Sequence, residues 1–473
     1  MPANAGGPPA PCSTVPWTAM RPLAERHAPW LLAALVALAY AGSWNGAFQY
    51  DDFQVIVDNP VVHSWAALSA DFGHGLRPVL KLSYWFSWVT GGGSPLAFHA
   101  FNLAVHLGNV LLVWALARRL YGIAAMEPAR AAPAALLAAA VFALHPLQTE
   151  AVTYICGRST SLMSLFCLAA LLCWDRYLTD RRLRDAVLAW LAFACAAGTK
   201  EPALVLPVAL LLWESLRSPG GSWGAGLLRH APFWLLPAAA LLVVVPHTGY
   251  ADFAVASLSE RPLWHNAMSQ IHALVWLLRG LLLLRAPNFD PDLPVITQAD
   301  AALCAEAALL LALLGTGLAV ARPRPWLGFC LAWVVLQLLP TNSMMPRLDI
   351  ANDRQWYLPL AGVAWAGGAL LAGPWQRPSR LTRPAIMALL LALGLVTAFR
   401  NADYRSEIAL WQATLQHSPH KARAWNNYGV ALRMAGRVPE ARAAYARSLE
   451  LDPGFAPARS NLGLPPQLPS SSP

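Results

Sequence analysis

Long apolar runs alternate with short polar segments along this chain, and the runs approach the length that crosses a bilayer. A spanning helix needs about twenty apolar residues, because exposed irregular backbone is not tolerated in hydrocarbon. The pattern predicts spans over residues 29–47, 96–116, 133–144, 159–174, 186–197, 203–212 and 233–246. A long polar stretch separates the first two, interrupted by apolar segments at 65–72 and 79–89 that read as interfacial helices. Arginine position then sets direction, since short loops rich in Lys and Arg stay inside. Arg118, Arg119, Arg130 and the cluster from Arg176 to Arg184 mark the inner face. Arg322, Arg324, Arg377, Arg380 and Arg383 belong there too, so only one net crossing fits between residues 246 and 321. Two apolar runs occupy that interval, 267–284 and 301–321, and the first carries Gln270, His272 and Arg279. That run reads as tilted, re-entrant or lining a cavity. About eleven crossings follow, with the N-terminus inside and the C-terminus outside.

Beyond Arg400 the pattern turns soluble. Residues 422–455 have the spacing of a tetratricopeptide helix–turn–helix unit, with Trp425, Gly429, Ala441, Tyr445 and Pro453 at its marker positions. Residues 402–419 read as the second helix of a preceding, incomplete unit, and Asn461, Leu462 and Gly463 begin another. So short an array cannot bury a solenoid core alone, so it must rest on the membrane domain or on a partner. The expected organisation is an all-α polytopic helical bundle: a cytoplasmic tail (1–28), a membrane domain (29–400), a repeat module (401–463) and a disordered tail (464–473).

Composition sharpens this picture. The chain is 57% hydrophobic and 12% charged, about half the charge of a soluble protein. Its twenty-one Trp fit interfacial belts. The net charge of +9 follows the positive-inside rule and does not point to nucleic acid. Lys81, Lys200 and Lys421 are the only lysines; a basic complement carried by Arg, with abundant Ala, suits a GC-rich bacterial genome. Seven Cys lack CxxC or His–Cys metal spacing and lie mostly in apolar runs, so no disulfide framework is expected.

The chemistry-bearing residues crowd the outer face. Asp51 and Asp52 stand just past the first apolar run, where adjacent carboxylates can take a proton from a hydroxyl or hold a cation. The same loop carries Asn59, Arg77 and Pro78. His99, Asn102 and His106 share one face of the next helix, a spacing that would let all three address one cavity. His145, Glu150 and Arg158 follow in the next outer turn, then Lys200 and Glu201, then Asn352, Asp353 and Arg354. Each has a bland reading: a solvated helix end for the aspartates, bundle histidines, a mutual ion pair for Lys200 and Glu201, snorkelling for Arg158. Ionisable groups at membrane depth are costly and face shared cavities, so five outer segments of mixed charge favour a joint site.

Taken in order, these segments resemble the transmembrane and tetratricopeptide-repeat O-mannosyltransferases and their bacterial relatives, within the GT-C glycosyltransferases. The carrying stretches are Phe48-Gln-Tyr-Asp51-Asp52 with Asn59-Pro60, Arg77-Pro78, and Phe98-His99-x-x-Asn102-x-x-x-His106. His145-Pro146-x-x-Thr149-Glu150 with Gly157-Arg158, Thr199-Lys200-Glu201, and Asn352-Asp353-Arg354-Gln-Trp-Tyr357 complete the set. Two departures stand out: Asp353 occupies a position that is usually Glu, and the repeat array is short.

The resemblance implies an integral-membrane transferase of a bacterial inner membrane, with active site and repeat on the periplasmic side. It would move a sugar, mannose or another hexose, from a polyprenyl-phosphate donor to a protein hydroxyl with inversion. Asp51 would be the general base, with Asp52 the second choice. Arg77, Arg158 and Arg354 would contact phosphate; His99, Asn102, His106, His145, Glu150, Lys200 and Glu201 complete the substrate-binding set. A divalent cation is compatible with the Asp and His present, though no spacing demands one. The partners implied are the lipid-linked donor, an acceptor protein and a protein at the repeat. Two alternatives remain open: a lipid or solute transporter, which would show internal repeat symmetry and broken helices, and a non-catalytic scaffold working through its repeat.

Overall fold

The computed structural model describes residues 23–465 except 73–74, 219–222, 240–241, 243–254, 256, 284–287, 344–345 and 377–379. The second half of the seventh expected span lies outside the described residues, as do the N-terminal tail up to residue 22 and the end of the C-terminal tail. Among the described residues the regular elements are all helical. The helices that matter here are α1 (Leu23–Ala39), α2 (Trp65–Asp71), α3 (Pro78–Gly91), α4 (Pro95–Ile123), α5 (Pro128–Leu144), α6 (Thr149–Val152), α7 (Arg158–Asp180), α8 (Leu183–Ala197) and α9 (Leu206–Arg217). After α10 (Trp223–Ala239) come α11 (Leu263–Leu283), α12 (Ala301–Ala321), α13 (Pro325–Leu338), α14 (Pro359–Gln376) and α15 (Thr382–Asn401). The repeat contributes α16 (Glu407–His417), α17 (Ala422–Met434), α18 (Val438–Leu451) and α19 (Ala456–Asn461).

One large apolar core joins α1, α4, α5, α7, α9, α13 and α14. Small residues permit a close crossing: a Cβ on Gly368 of α14 would lie 2.4 Å from the Ala134 carbonyl of α5. Close backbone approach is how membrane helices gain dispersion contacts where no hydrophobic drive exists between them. By contrast, α12 buries only 6% of its apolar window and turns its leucines outward, as a lipid-facing helix does.

Helix length and composition mark four spans among the described residues, α4, α12, the segment from Ile155 to Asp180 and the segment from Thr382 to Arg405. A fifth is added if α5 and the 146–152 segment, bent by 54°, count as one. The other apolar helices, such as Arg26–Ala39 and Pro325–Leu338, are shorter. These criteria therefore mark four or five crossings, fewer than the about eleven that arginine placement suggests.

The ambiguous run at 267–284 falls within a single helix, α11, up to Leu283. Asn266 near its start donates to Ser343 O, Gln270 to Ile350 O, and its Leu277 carbonyl accepts from Trp356. From Asn266 to Leu277 the helix thus meets the segment around residues 343–356, which holds it against the bundle. Not every Trp is placed for an interfacial belt, although Trp30, Trp65 and Trp264 are well exposed. Trp174, Trp213, Trp333, Trp356, Trp365 and Trp411 are fully buried, and Trp213, Trp333, Trp356 and Trp365 spend their indole N–H on protein acceptors.

The repeat does not stand apart. Tyr404, Leu410, Trp411, Ala424 and Ala431 share a core with Ile56, Val62, Leu80, Tyr84, Phe98, Tyr154 and Phe289. Of the two supports the short array requires, the membrane domain is the one seen here. A polar clasp reinforces it: Ser418 Oγ donates to Asp290 O and accepts from Asn288 Nδ2, while Lys421 and Arg423 pair with Asp290.

Candidate active site

The segments after α1, α5, α8 and α13 converge in one region. Asp51 and Asp52 follow Tyr50, whose φ of +49° is unusual for a residue with a side chain. The two carboxylates have opposite surroundings. Asp52 is fully buried, and its oxygens accept the backbone N–H of Gln49 and of Cys156, each at 2.9 Å. It stitches the first loop to the start of α7. Burial pushes its pKa up to about 7 in spite of those donors. Asp51 is only partly buried, and its backbone N–H donates to Tyr154 Oη at 3.1 Å. Burial raises its pKa, while Arg354, the Tyr154 hydroxyl and Arg423 pull it down and Asp349 pushes it up. Asp51 is therefore the carboxylate able to meet a substrate, and Asp52 the one that holds the loop. Asp52→Ala strands two buried donors and should destabilise the protein by about 1–3 kcal/mol, read as an earlier thermal transition in detergent.

Glu150 and Arg354 meet at the centre. The buried Glu150 carboxylate accepts the Arg354 backbone N–H at 3.0 Å and lies 3.5 Å from the Arg354 guanidinium. Gly157 allows α6 to sit this close: a Cβ there would lie 2.2 Å from the Glu150 carbonyl oxygen. Beside them Lys200 Nζ donates to Thr160 Oγ1 at 2.7 Å. Burial, then Arg354, Arg77 and Arg347, push the Lys200 ammonium well below the usual lysine range. Lys200 does not pair with its neighbour: Glu201 instead takes a two-bond fork from Arg77 at 2.8 and 2.9 Å, which ties α3 to this loop.

Lys200, Arg347 and Arg354 line one cleft with Thr160, Gln337, Thr341, Asn352 and Gln355. Five buried polar atoms of its lining side chains, Gln337 Nε2, both amide atoms of Asn352 and both of Gln355, have no protein partner. Buried polar groups are normally satisfied, so a cleft lined by two arginines, a lysine and several orphan amides is a candidate site for a polar anionic ligand. Arg347, Gln337 and Gln355 are missing from the sequence expectation, and Asn352 appears there without a binding role. Asn352 and Gln355 stand in a motif already singled out, while Arg347 and Gln337 carry no local signal.

The other expected residues lie elsewhere. His99, Asn102 and His106 do share a helix face, but that face packs inside the bundle. His99 Nε2 lies 3.2 Å from Gly46 O; His106 sits between Tyr357 Oη at 2.8 Å and Ala143 O at 3.4 Å. Asn102 donates to Val152 O and accepts from Arg158. Arg158 is fully buried, and its guanidinium is spent on Asn102, Ser83 O, Ser87 Oγ and Phe98 O, between the rings of Tyr84, Phe98 and Phe101. It fixes α3, α4 and α7 together and is not placed to meet phosphate. His145 accepts the Leu147 N–H and caps the turn after α5. Among the described residues no cluster of three His, Cys, Asp or Glu is arranged to hold a metal ion.

Comparison with known proteins places these features in context. A family profile described as tetratricopeptide repeat matches residues 396–454. A Caenorhabditis elegans protein O-mannosyl-transferase is 24% identical, covering 90% of this chain and 63% of its own length. Protein O-mannosyl-transferase Tmtc1 of Drosophila melanogaster is 25% identical, covering 91% of this chain and 62% of its own. Human protein O-mannosyl-transferase TMTC1 is also 25% identical, covering 93% of this chain and 57% of its own length. The chain thus spans less than two thirds of these relatives. No solved structure matches it significantly.

Proposed function

We propose that this protein is a membrane glycosyltransferase that moves mannose or a related hexose from a polyprenyl-phosphate donor to a protein hydroxyl. The observation that carries this reading is the cationic cleft beside a partly exposed carboxylate. The donor phosphate sits among Lys200, Arg347 and Arg354, and the amides of Gln337, Asn352 and Gln355 address sugar hydroxyls. Asp51 takes the proton of the acceptor hydroxyl as its oxygen bonds the anomeric carbon from the opposite face. The carbon–phosphate-oxygen bond breaks, and its electron pair leaves with the polyprenyl phosphate. Fixed cations stabilise that developing charge because they need no reorganisation in the transition state. The names of the relatives agree with the reaction class, and the outer, periplasmic side suits an acceptor delivered to the repeat. No second reading draws comparable support, since the polar residues of the site gather in one region among the described residues.

The test is transfer of radiolabelled mannose from polyprenyl-phosphate donors to Ser/Thr peptides by purified full-length protein. Label on peptide is expected, and no transfer from any such donor rejects the reading. The pH profile makes a further prediction. A general base works only when deprotonated, so activity should fall as pH falls through the Asp51 pKa, which burial raises above the ordinary carboxylate value. A rate unchanged down to about pH 4 would contradict a raised carboxylate as the base.

A further inference from the structure

The residue before Asp51 is held by the repeat module. Tyr50 keeps its left-handed backbone while its ring meets Trp411 of α16 at 5.3 Å and Phe289 at 5.9 Å, both edge-on. Phe289 also meets Trp411 at 5.6 Å and Tyr154 at 5.1 Å. Trp411 is fully buried, so the repeat supplies the wall against which the strained Tyr50 is set. Strained backbone persists only where its surroundings over-determine it. Tyr154, the other end of this aromatic cluster, is the group that accepts the Asp51 N–H.

The repeat reaches Asp51 by charge as well. Arg423, in the first turn of α17, donates to Asp290 Oδ2 at 2.8 Å and also pairs with Asp349. The groups acting on Asp51 are Arg354, Tyr154, Asp349 and Arg423, with Asp52 and Tyr50 adjacent in the chain. Arg423 therefore balances an acidic pair, one member of which opposes ionisation of Asp51.

We infer that the repeat module is a working part of the catalytic centre, with Trp411 fixing the backbone of Asp51 and Arg423 setting its charge environment. This rests on the reading of Asp51 as the base. Trp411 and Arg423 are positioning residues, and their effect on the chemistry is separate from binding of the acceptor.

The experiment compares pH profiles and acceptor KM of the full-length protein carrying Arg423→Met, Arg423→Lys or Trp411→Phe. Arg423→Met leaves Asp349 unbalanced, so the acidic limb of kcat should move up by about half to one pH unit, with acceptor KM unchanged. Arg423→Lys should restore the limb. Trp411→Phe keeps an aromatic ring but loosens the wall, so kcat should drop across the whole profile, again without a change in acceptor KM; this variant carries the test should Arg423→Met fail to fold. A raised acceptor KM with the wild-type limb and kcat in these variants would overturn the inference and leave the repeat as an acceptor-binding arm. An Asp51→Asn variant as active as wild type would instead remove the base assignment beneath it.

Discussion

Asp51→Asn should lower transfer by about 10²- to 10⁴-fold while the protein still inserts and folds. The size follows from loss of general-base assistance, which contributes that much where a positioned side chain accepts the proton. Folding should survive because Asp51 is only partly buried, its backbone N–H bond to Tyr154 is untouched, and the new amide oxygen can still accept from the Tyr154 hydroxyl that the carboxylate engages. Asp52 gives the contrast, since its carboxylate is wholly engaged by the N–H groups of Gln49 and Cys156. Loss at position 52 should appear first as instability and loss at position 51 first as inactivity. Wild-type turnover by Asp51→Asn would sink the assignment.

Arg354→Gln should also silence the enzyme, by about 10²- to 10³-fold from the missing charge at the leaving phosphate. The single substitution has a second effect. It leaves Glu150 buried without its cation, and breaking a buried pair on one side costs about 3–5 kcal/mol. Glu150→Gln with Arg354→Gln removes the orphaned charge while the new amide oxygen still accepts the backbone N–H of residue 354. The double variant should regain thermal stability and stay inactive. If activity returned along with stability, Arg354 would be a structural partner of Glu150 and not a phosphate ligand.

The elements were largely legible along the chain, and the roles of polar residues much less so. Spans 96–116 and 159–174 lie inside α4 and α7 because apolar length is a local property. The unit at 422–455 appears as α17 and α18, and Tyr445 is buried in its core. Helix spacing placed His99, Asn102 and His106 on one face, but spacing cannot say what the face meets. Here it meets Gly46, the segment around Val152, and Tyr357. Lys200 and Glu201, adjacent in sequence, look to different partners because an extended residue at 200 sends successive side chains apart.

Apolar run length, arginine bias and repeat spacing are carried by neighbouring residues, so the helical class, the membrane setting and the tetratricopeptide module could be read directly. Which carboxylate is open, which arginine is spent, and where the repeat docks depend on contacts between segments as distant as Asp52 and Cys156, or Glu150 and Arg354. Those contacts set burial and hydrogen-bond satisfaction, and they decide whether an ionisable side chain is structural or available for chemistry. That information exists only once the chain has folded back on itself, and it separates Asp51 from Asp52 and the cleft at Lys200, Arg347 and Arg354 from the buried brace at Arg158.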